Sequence, residues 1–244
     1  MKIYVAGDSW VYGDGLKSPN TQAWPAVLGN KLGAEVYNDS CLSGSNEHFV
    51  YRAIKHLEKD IDLYIIVWTS VAKFTFYKSD NNFEAHFNPL LVHKFFGEED
   101  YYKIWGRTLF QVWYNRLYAF KLWLQQIIQL QTMFTQYNKN YLMLNTHYND
   151  LDRWLNPWPE FIDSVKKLIN FDLMTDEQIR AEYDEIQFYL RQIDTNRFYG
   201  WNSFYLHQLK SILIANNHWL GNHPTADGHM YIADMLYDSA KKYV

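Results

Sequence analysis

The sequence predicts an α/β protein in which a parallel sheet is wrapped by helices. Three observations carry that expectation. Short apolar, β-branched runs at 2–7, 34–37, 62–68 and 141–144 read as buried strands. Segments with apolar residues at i, i+3, i+4 and i+7 lie between them, as in amphipathic helices. The two kinds alternate through the first 150 residues, as they must when each parallel strand returns through a helical crossover. With 48% hydrophobic and 20% charged residues, the 244-residue chain can fill such a core and is not disordered.

Each element has its own justification. Residues 2–7 form a short strand closed by Gly7. Residues 23–32 place Trp24, Val27, Leu28 and Leu32 on one helical face, with Pro25 near the start and Gly33 as the stop. A second strand follows at 34–37. Residues 46–59 carry Phe49, Val50, Ala53, Ile54 and Leu57 on one stripe, and 62–68 (DLYIIVW) is the clearest strand. Residues 78–107 are polar and aromatic without a period and read as an insertion or long loop. A long helix is expected over 108–137, through Phe110, Trp113, Tyr114, Leu117, Phe120, Leu124, Ile127 and Phe134, then a strand at 141–144. From 150 to 217 the pattern is helical: about 159–170, then 175–194 with Thr175 as N-cap, then about 202–215. Residues 223–244 open with Pro224-Thr225 and continue as an amphipathic helix. No repeat or Gly/Ser-rich linker divides the chain, so 1–244 reads as one unit, its insertions at about 78–107 and 150–217 forming a cap or an interface.

Composition removes several classes of function. The balance of 23 Lys+Arg against 27 Asp+Glu argues against a nucleic-acid binder, which needs a basic face. A single cysteine, Cys41, excludes an intrachain disulfide and a cysteine-rich zinc module. After Met1-Lys2 the apolar run ends at Ala6, so no signal peptide is expected; no stretch of about 18 apolar residues predicts a membrane span. A cytoplasmic location is expected. Aromatics reach 18%, more than a minimal core needs, and suit a groove or interface.

Five segments could carry chemistry. Gly7-Asp8-Ser9-Trp10 stands where the first strand gives way to a loop, and sites in parallel sheets form at strand carboxyl ends. There a serine hydroxyl points outward, or Asp8 and Ser9 merely cap a turn. Gly13-Asp14-Gly15 fits neither phosphate-binding glycine pattern, so nucleotide binding is rejected. Ser43-Gly44-Ser45-Asn46 is a loop whose glycine can present its N–H to a ligand, with Asn46 as a possible helix cap. Trp68-Thr69-Ser70 ends the third strand with two hydroxyls. His223-Pro224-Thr225-Ala226-Asp227-Gly228-His229 puts His223 on a rigid turn suited to a general base. The spacing of His223 and His229 does not suit a shared metal, and no metal or cofactor is expected.

In order and placement these segments resemble the SGNH/GDSL hydrolases. Gly7-Asp8-Ser9 and the following GDSWVYGDGL…AWPAVLGNKLG stretch look like that family's first block, and His-Pro-x₃-Gly-His looks like its last. The Trp68-Thr69-Ser70 variant and the aromatic insertions are most similar to phage-encoded members. The resemblance implies a three-layer α/β/α, flavodoxin-like fold with about five parallel strands and helical insertions. It also implies a serine esterase, acting on O-acetyl groups of a carbohydrate through an acyl-enzyme. Ser9 would be the nucleophile and His223 its base; the amides of Ser9 and Gly44, with Thr69, would form the oxyanion hole. Trp10, Asn46, Trp68, Ser70 and Asn145 are candidates for substrate contact, and a small-molecule or glycan ester is the expected partner. Two departures stand out. Thr69 occupies the place of the family's asparagine donor, and Leu220 that of the acid three residues before the histidine, leaving His223 to be oriented by a backbone carbonyl, Asn222 or an acid from an insertion. The alternative is a non-catalytic module of the same fold that binds glycan or serves in a phage particle with a protein partner.

Overall fold

The structure, a computed structural model, describes residues 1–77, 84–87, 116–147, 151–165 and 174–244. Strand β1 (Lys2–Ala6) leads through the one-turn helix α1 (Ser9–Tyr12), α2 (Pro19–Gln22) and α3 (Trp24–Leu32) to β2 (Glu35–Asn38). Helix α4 (Asn46–Lys55) returns to β3 (Leu63–Trp68), which is followed by an antiparallel hairpin of β4 (Phe74–Tyr77) and β5 (Glu84–Phe87). The long α5 (Arg116–Gln136) then leads to β6 (Asn140–Asn145). Helices α6 (Leu151–Leu155), α7 (Trp158–Val165), α8 (Asp176–Leu190) and α9 (Leu209–Ala215) precede a two-residue-strand hairpin, β7 (Trp219–Leu220) and β8 (His223–Pro224), and the final α10 (Ala226–Lys241).

The main sheet has the order β2-β1-β3-β6 and every pairing in it is parallel. β3 lies inside with all six residues buried, which is why it reads as an unbroken apolar run. The two-residue period of a strand sorts the core into two layers. Tyr4, Ala6, Tyr64, Ile66, Trp68, Tyr141 and Met143 face α4 and α5, where Phe49, Phe120, Leu124 and Phe134 meet them. Ile3, Val5, Leu63, Ile65, Val67, Leu142 and Leu144 face α3 and α10 through Trp24, Leu28, Ile232 and Leu236. The expected three-layer α/β/α arrangement is the observed one.

The differences are local. About five strands were expected, whereas the described residues hold four in this sheet. On the other edge of β6 the described residues add a single parallel bridge, Met143 with Phe198, and the Tyr199 N–H donates to the Met143 carbonyl at 2.8 Å. Gly200, at φ 62°, then turns the chain away before a strand can grow. The β4–β5 hairpin falls partly in the segment read as an insertion or long loop; the rest of 78–107 lies outside the described residues, as do 108–115 of the long helix and 166–170 of the helix expected over 159–170. The N-cap of α4 is Ser45, whose hydroxyl accepts from the His48 N–H, rather than Asn46. Thr175 caps α8 as expected, in a reciprocal capping box with Gln178.

Candidate active site

The carboxyl ends of β1, β3 and β6 converge on one group of loops, and the first of them carries Ser9. Asp8 caps α1 by accepting from the Trp10 N–H at 3.1 Å. Ser9 is therefore the first helical residue, and its amide has no intrahelical acceptor. Gly7 admits no side chain here: a Cβ would stand 2.4 Å from Val11 Cγ2. Gly13 closes the single turn in the left-handed region, at φ 91°.

His223 arrives from the other end of the chain. In the β7–β8 hairpin Leu220 pairs with His223, and Gly221 takes φ 62° at the first turn position. The hairpin is pinned to α10 by the Thr225 N–H donating to the His218 carbonyl at 2.8 Å. It is pinned to α1 by Trp219 against Trp10, ring centroids 5.0 Å apart. The result sets His223 Nε2 3.0 Å from Ser9 Oγ, across 214 positions of sequence. With Nε2 facing the hydroxyl, Nδ1 faces Asp14, whose Oδ2 is 3.6 Å away. Leu220 is 75% exposed and faces solvent, and Asn222, one of the groups considered for orienting His223, is exposed as well.

Beneath Ser9 lies a buried charge cluster. The Asp8 carboxylate accepts from Thr69 Oγ1 at 2.7 Å and from Lys73 Nζ at 2.8 Å, with His147 Nε2 at 3.5 Å. Burial alone would raise the Asp8 pKa, but the Lys73 ammonium and His147 overcome it and hold the carboxyl well below the usual range. His207 stands beside both His147 and Trp10, at ring distances of 5.5 Å in each case. Burial first, then the neighbouring His147 and Lys210, lowers its pKa.

Several residues expected to touch substrate have other work. Thr69 cannot offer its hydroxyl hydrogen to an oxyanion while donating it to Asp8, the stronger acceptor. Asn46 is buried and paired reciprocally with the Thr69 backbone: Nδ2 donates to its carbonyl at 3.2 Å and Oδ1 accepts from its N–H at 2.9 Å. Trp68 is fully buried in the core and Trp10 nearly so, so neither ring presents a face to a ligand. Ser70 Oγ accepts from the Ala72 N–H at 3.3 Å, closing the turn after β3. Gly44 donates to the Cys41 carbonyl at 3.4 Å, and a Cβ there would lie 2.6 Å from both Cys41 Sγ and Phe49 Cε1. Packing alone accounts for that glycine.

Asn145, at the end of β6, differs from these. It is buried, yet its Oδ1 has no hydrogen-bond partner among the described residues. It lines a cleft of about 210 Å³ together with His147, Asp152, Trp201, Tyr205 and Gln208. Sequence reasoning missed Asp14, Lys73 and His147. Only Asp14 left a trace, in the two glycines that bracket it.

The chain has the α/β architecture of the SGNH/GDSL hydrolases: it superposes on the psychrotrophic esterase EstA from Pseudoalteromonas sp. with a TM-score of 0.50 and 13% identity, covering 99% of this chain and 97% of that one. A member of the lipolytic protein G-D-S-L family from Veillonella parvula aligns with a TM-score of 0.47 and 11% identity, over 99% of each chain. By sequence, residues 13–157 match the family described as "Family of unknown function (DUF6071)", and the chain belongs to that family. No curated protein matches it.

Proposed function

We propose that the protein is a serine ester hydrolase with Ser9 as nucleophile and His223 as general base. The observation that carries this reading is the 3.0 Å approach of His223 Nε2 to Ser9 Oγ. A serine hydroxyl is a weak nucleophile until a hydrogen-bonded imidazole takes its proton. In the proposed cycle Oγ attacks the ester carbonyl as its proton passes to Nε2. The tetrahedral oxyanion is held by the Ser9 amide, joined by that of Gly44 once it gives up its long 3.4 Å bond to the Cys41 carbonyl. His223 then returns the proton to the departing alcohol oxygen, leaving an acyl-Ser9 ester. Water, deprotonated in turn by His223, releases the acid and restores Ser9.

For the alcohol half we favour a carbohydrate, with an acetyl group as the acyl part. A sugar hydroxyl is a donor of the kind the unpaired Asn145 carbonyl lacks. The partly buried Trp201, stacked on Trp123 in the same cleft wall, offers a flat face for a pyranose ring. A second reading, a non-catalytic glycan-binding or structural module, is favoured by the engagement of the Thr69 hydroxyl with Asp8, which takes that donor out of the oxyanion hole. Losing one such donor costs roughly 10²–10³ in rate, so slow turnover is expected even if the first reading holds.

A fluorophosphonate probe with intact-mass detection separates the two. One adduct on the native protein, absent from Ser9→Ala and His223→Ala, is the expected result; release of acetate from acetylated glycans would then be measured. No adduct under conditions that label a control esterase would leave the binding-module reading.

A further inference from the structure

We infer that Asp14 is the residue that orients His223, so that the acid comes from the nucleophile's own loop. Three independent observations point there. Asp14 Oδ2 lies 3.6 Å from His223 Nδ1, the ring nitrogen turned away from Ser9. The loop is shaped for that approach: Gly13 at φ 91° and Gly15 at φ 84° flank Asp14, and L side chains rarely adopt that backbone conformation. The hairpin that carries His223 supplies no acid of its own, since Leu220 at its paired position is 75% exposed.

The physical consequence concerns the tautomer. For Nε2 to accept the Ser9 proton, Nδ1 must carry the ring hydrogen, and a neutral imidazole has no strong preference for that form in isolation. A carboxylate facing Nδ1 selects it and attracts the imidazolium that forms when the Ser9 proton arrives. Asp14 takes no proton in this scheme; it is a positioning residue. Its side chain is 41% exposed, so water screens the pair, and the effect is smaller than for a buried acid. The Gly13-Asp14-Gly15 sequence, which matches no phosphate-binding pattern, thereby acquires a role.

This inference rests on the hydrolase reading for its rate effect but not for its geometry, and the test uses both. Ring ¹⁵N NMR of His223 reports the tautomer without any substrate. In the neutral ring the native protein is expected to show a protonated Nδ1 and an unprotonated Nε2, and Asp14→Asn a mixture of tautomers. The fluorophosphonate labelling rate is expected to fall at least about tenfold in Asp14→Asn, against roughly 10⁴ in kcat for the corresponding change in a buried triad, with Asp14→Glu recovering part of it. Circular dichroism should be unchanged, because Asp14 is partly exposed in a loop. An unaltered tautomer together with labelling within twofold of native in Asp14→Asn would overturn the proposal. If the native protein takes no label at all, the hydrolase reading fails, and the NMR result alone then decides whether Asp14 holds His223.

Discussion

Lys73 is the residue whose environment departs furthest from what its type suggests. Its ammonium is buried and sits 2.8 Å from the carboxylate of Asp8, which is itself fully buried. Removing one partner of such a pair strands the other charge, at a cost of about 3–5 kcal/mol. Lys73→Met is therefore expected to lower stability by roughly that amount in urea unfolding at neutral pH, whereas Thr69→Val, which deletes one hydrogen bond to the same carboxylate, should lose about 1.5–3 kcal/mol. Equal losses in the two variants would mean that the ammonium is not the main counter-charge. Neither Lys73 nor its partnership is legible in the sequence. A lysine reads as solvated by default, and its burial depends on Asp8, 65 positions away. Ser9 and His223 could be proposed from the sequence only because the order of the segments resembles a family pattern; locally, a strand-ending glycine and a capping aspartate before one, and a proline and a threonine cap after the other, mark no more than turns. Asp14 leaves no more than the trace of its two flanking glycines. Its meaning depends on where a hairpin 209 positions later comes to rest, and no local pattern encodes that.

At the level of elements, the strands and helices that face the sheet follow from the sequence, since burial on both faces demands unbroken apolar runs and a helical stripe opposite each. The short pieces do not. β4, β5, β7 and β8 have two to four residues each, too few to show a period, and their existence rests on pairing. Of these the β7–β8 hairpin matters most, because it fixes His223 relative to α1. Its seat on α10 depends on Gly228: a Cβ there would lie 2.5 Å from the His218 carbonyl oxygen and 2.9 Å from Pro224 Cβ. Two effects of Gly228→Ala oppose each other. Helix propensity alone favours alanine by about 1 kcal/mol, whereas forcing a methyl into a filled contact costs typically 1–3 kcal/mol. The carbonyl belongs to backbone tied down by the Thr225 N–H, so the clash should win. Gly228→Ala is expected to be less stable by ~1–2 kcal/mol, and to take a fluorophosphonate label more slowly than that loss of folded protein explains, because His223 moves with the hairpin. A stabilised variant with native labelling would show that the hairpin yields without disturbing the site.

Across the whole molecule, the two ends of the chain close on the same layer, and His229 is where they are joined. Its Nδ1 accepts from the Trp24 N–H at 3.1 Å, tying α10 to the start of α3 across 205 positions. The ring is fully buried. Burial, and secondarily the nearby His223, pushes its pKa down to about 4, against about 6.5 for a histidine in an unfolded chain. The unfolded state therefore binds more protons than the folded state between those two values, so stability rises with pH across the window. The contribution is complete above about 6.5, declines as pH falls, and is gone once pH passes below about 4. Its full size is on the order of 3 kcal/mol. Asp8 acts lower on the scale: its carboxyl is held below the usual range, so its share persists above about 3.9 and is lost only in stronger acid. Acidification should thus weaken the protein in two stages, the first belonging to His229. Replacing His229 by Gln leaves an acceptor for the Trp24 N–H but removes the titrating group. Urea midpoints at pH 7, 5.5 and 4.5 should fall steeply for the native chain and much less for His229→Gln, and parallel slopes would place the first stage of acid sensitivity elsewhere. Because a locally opened state takes up a proton that the closed state, with its neutral ring accepting from Trp24, does not, the same window should loosen α3 from α10. Amide exchange at Trp24 is then expected to accelerate at pH 5 relative to amides of β3, whose bonds contain no titrating group.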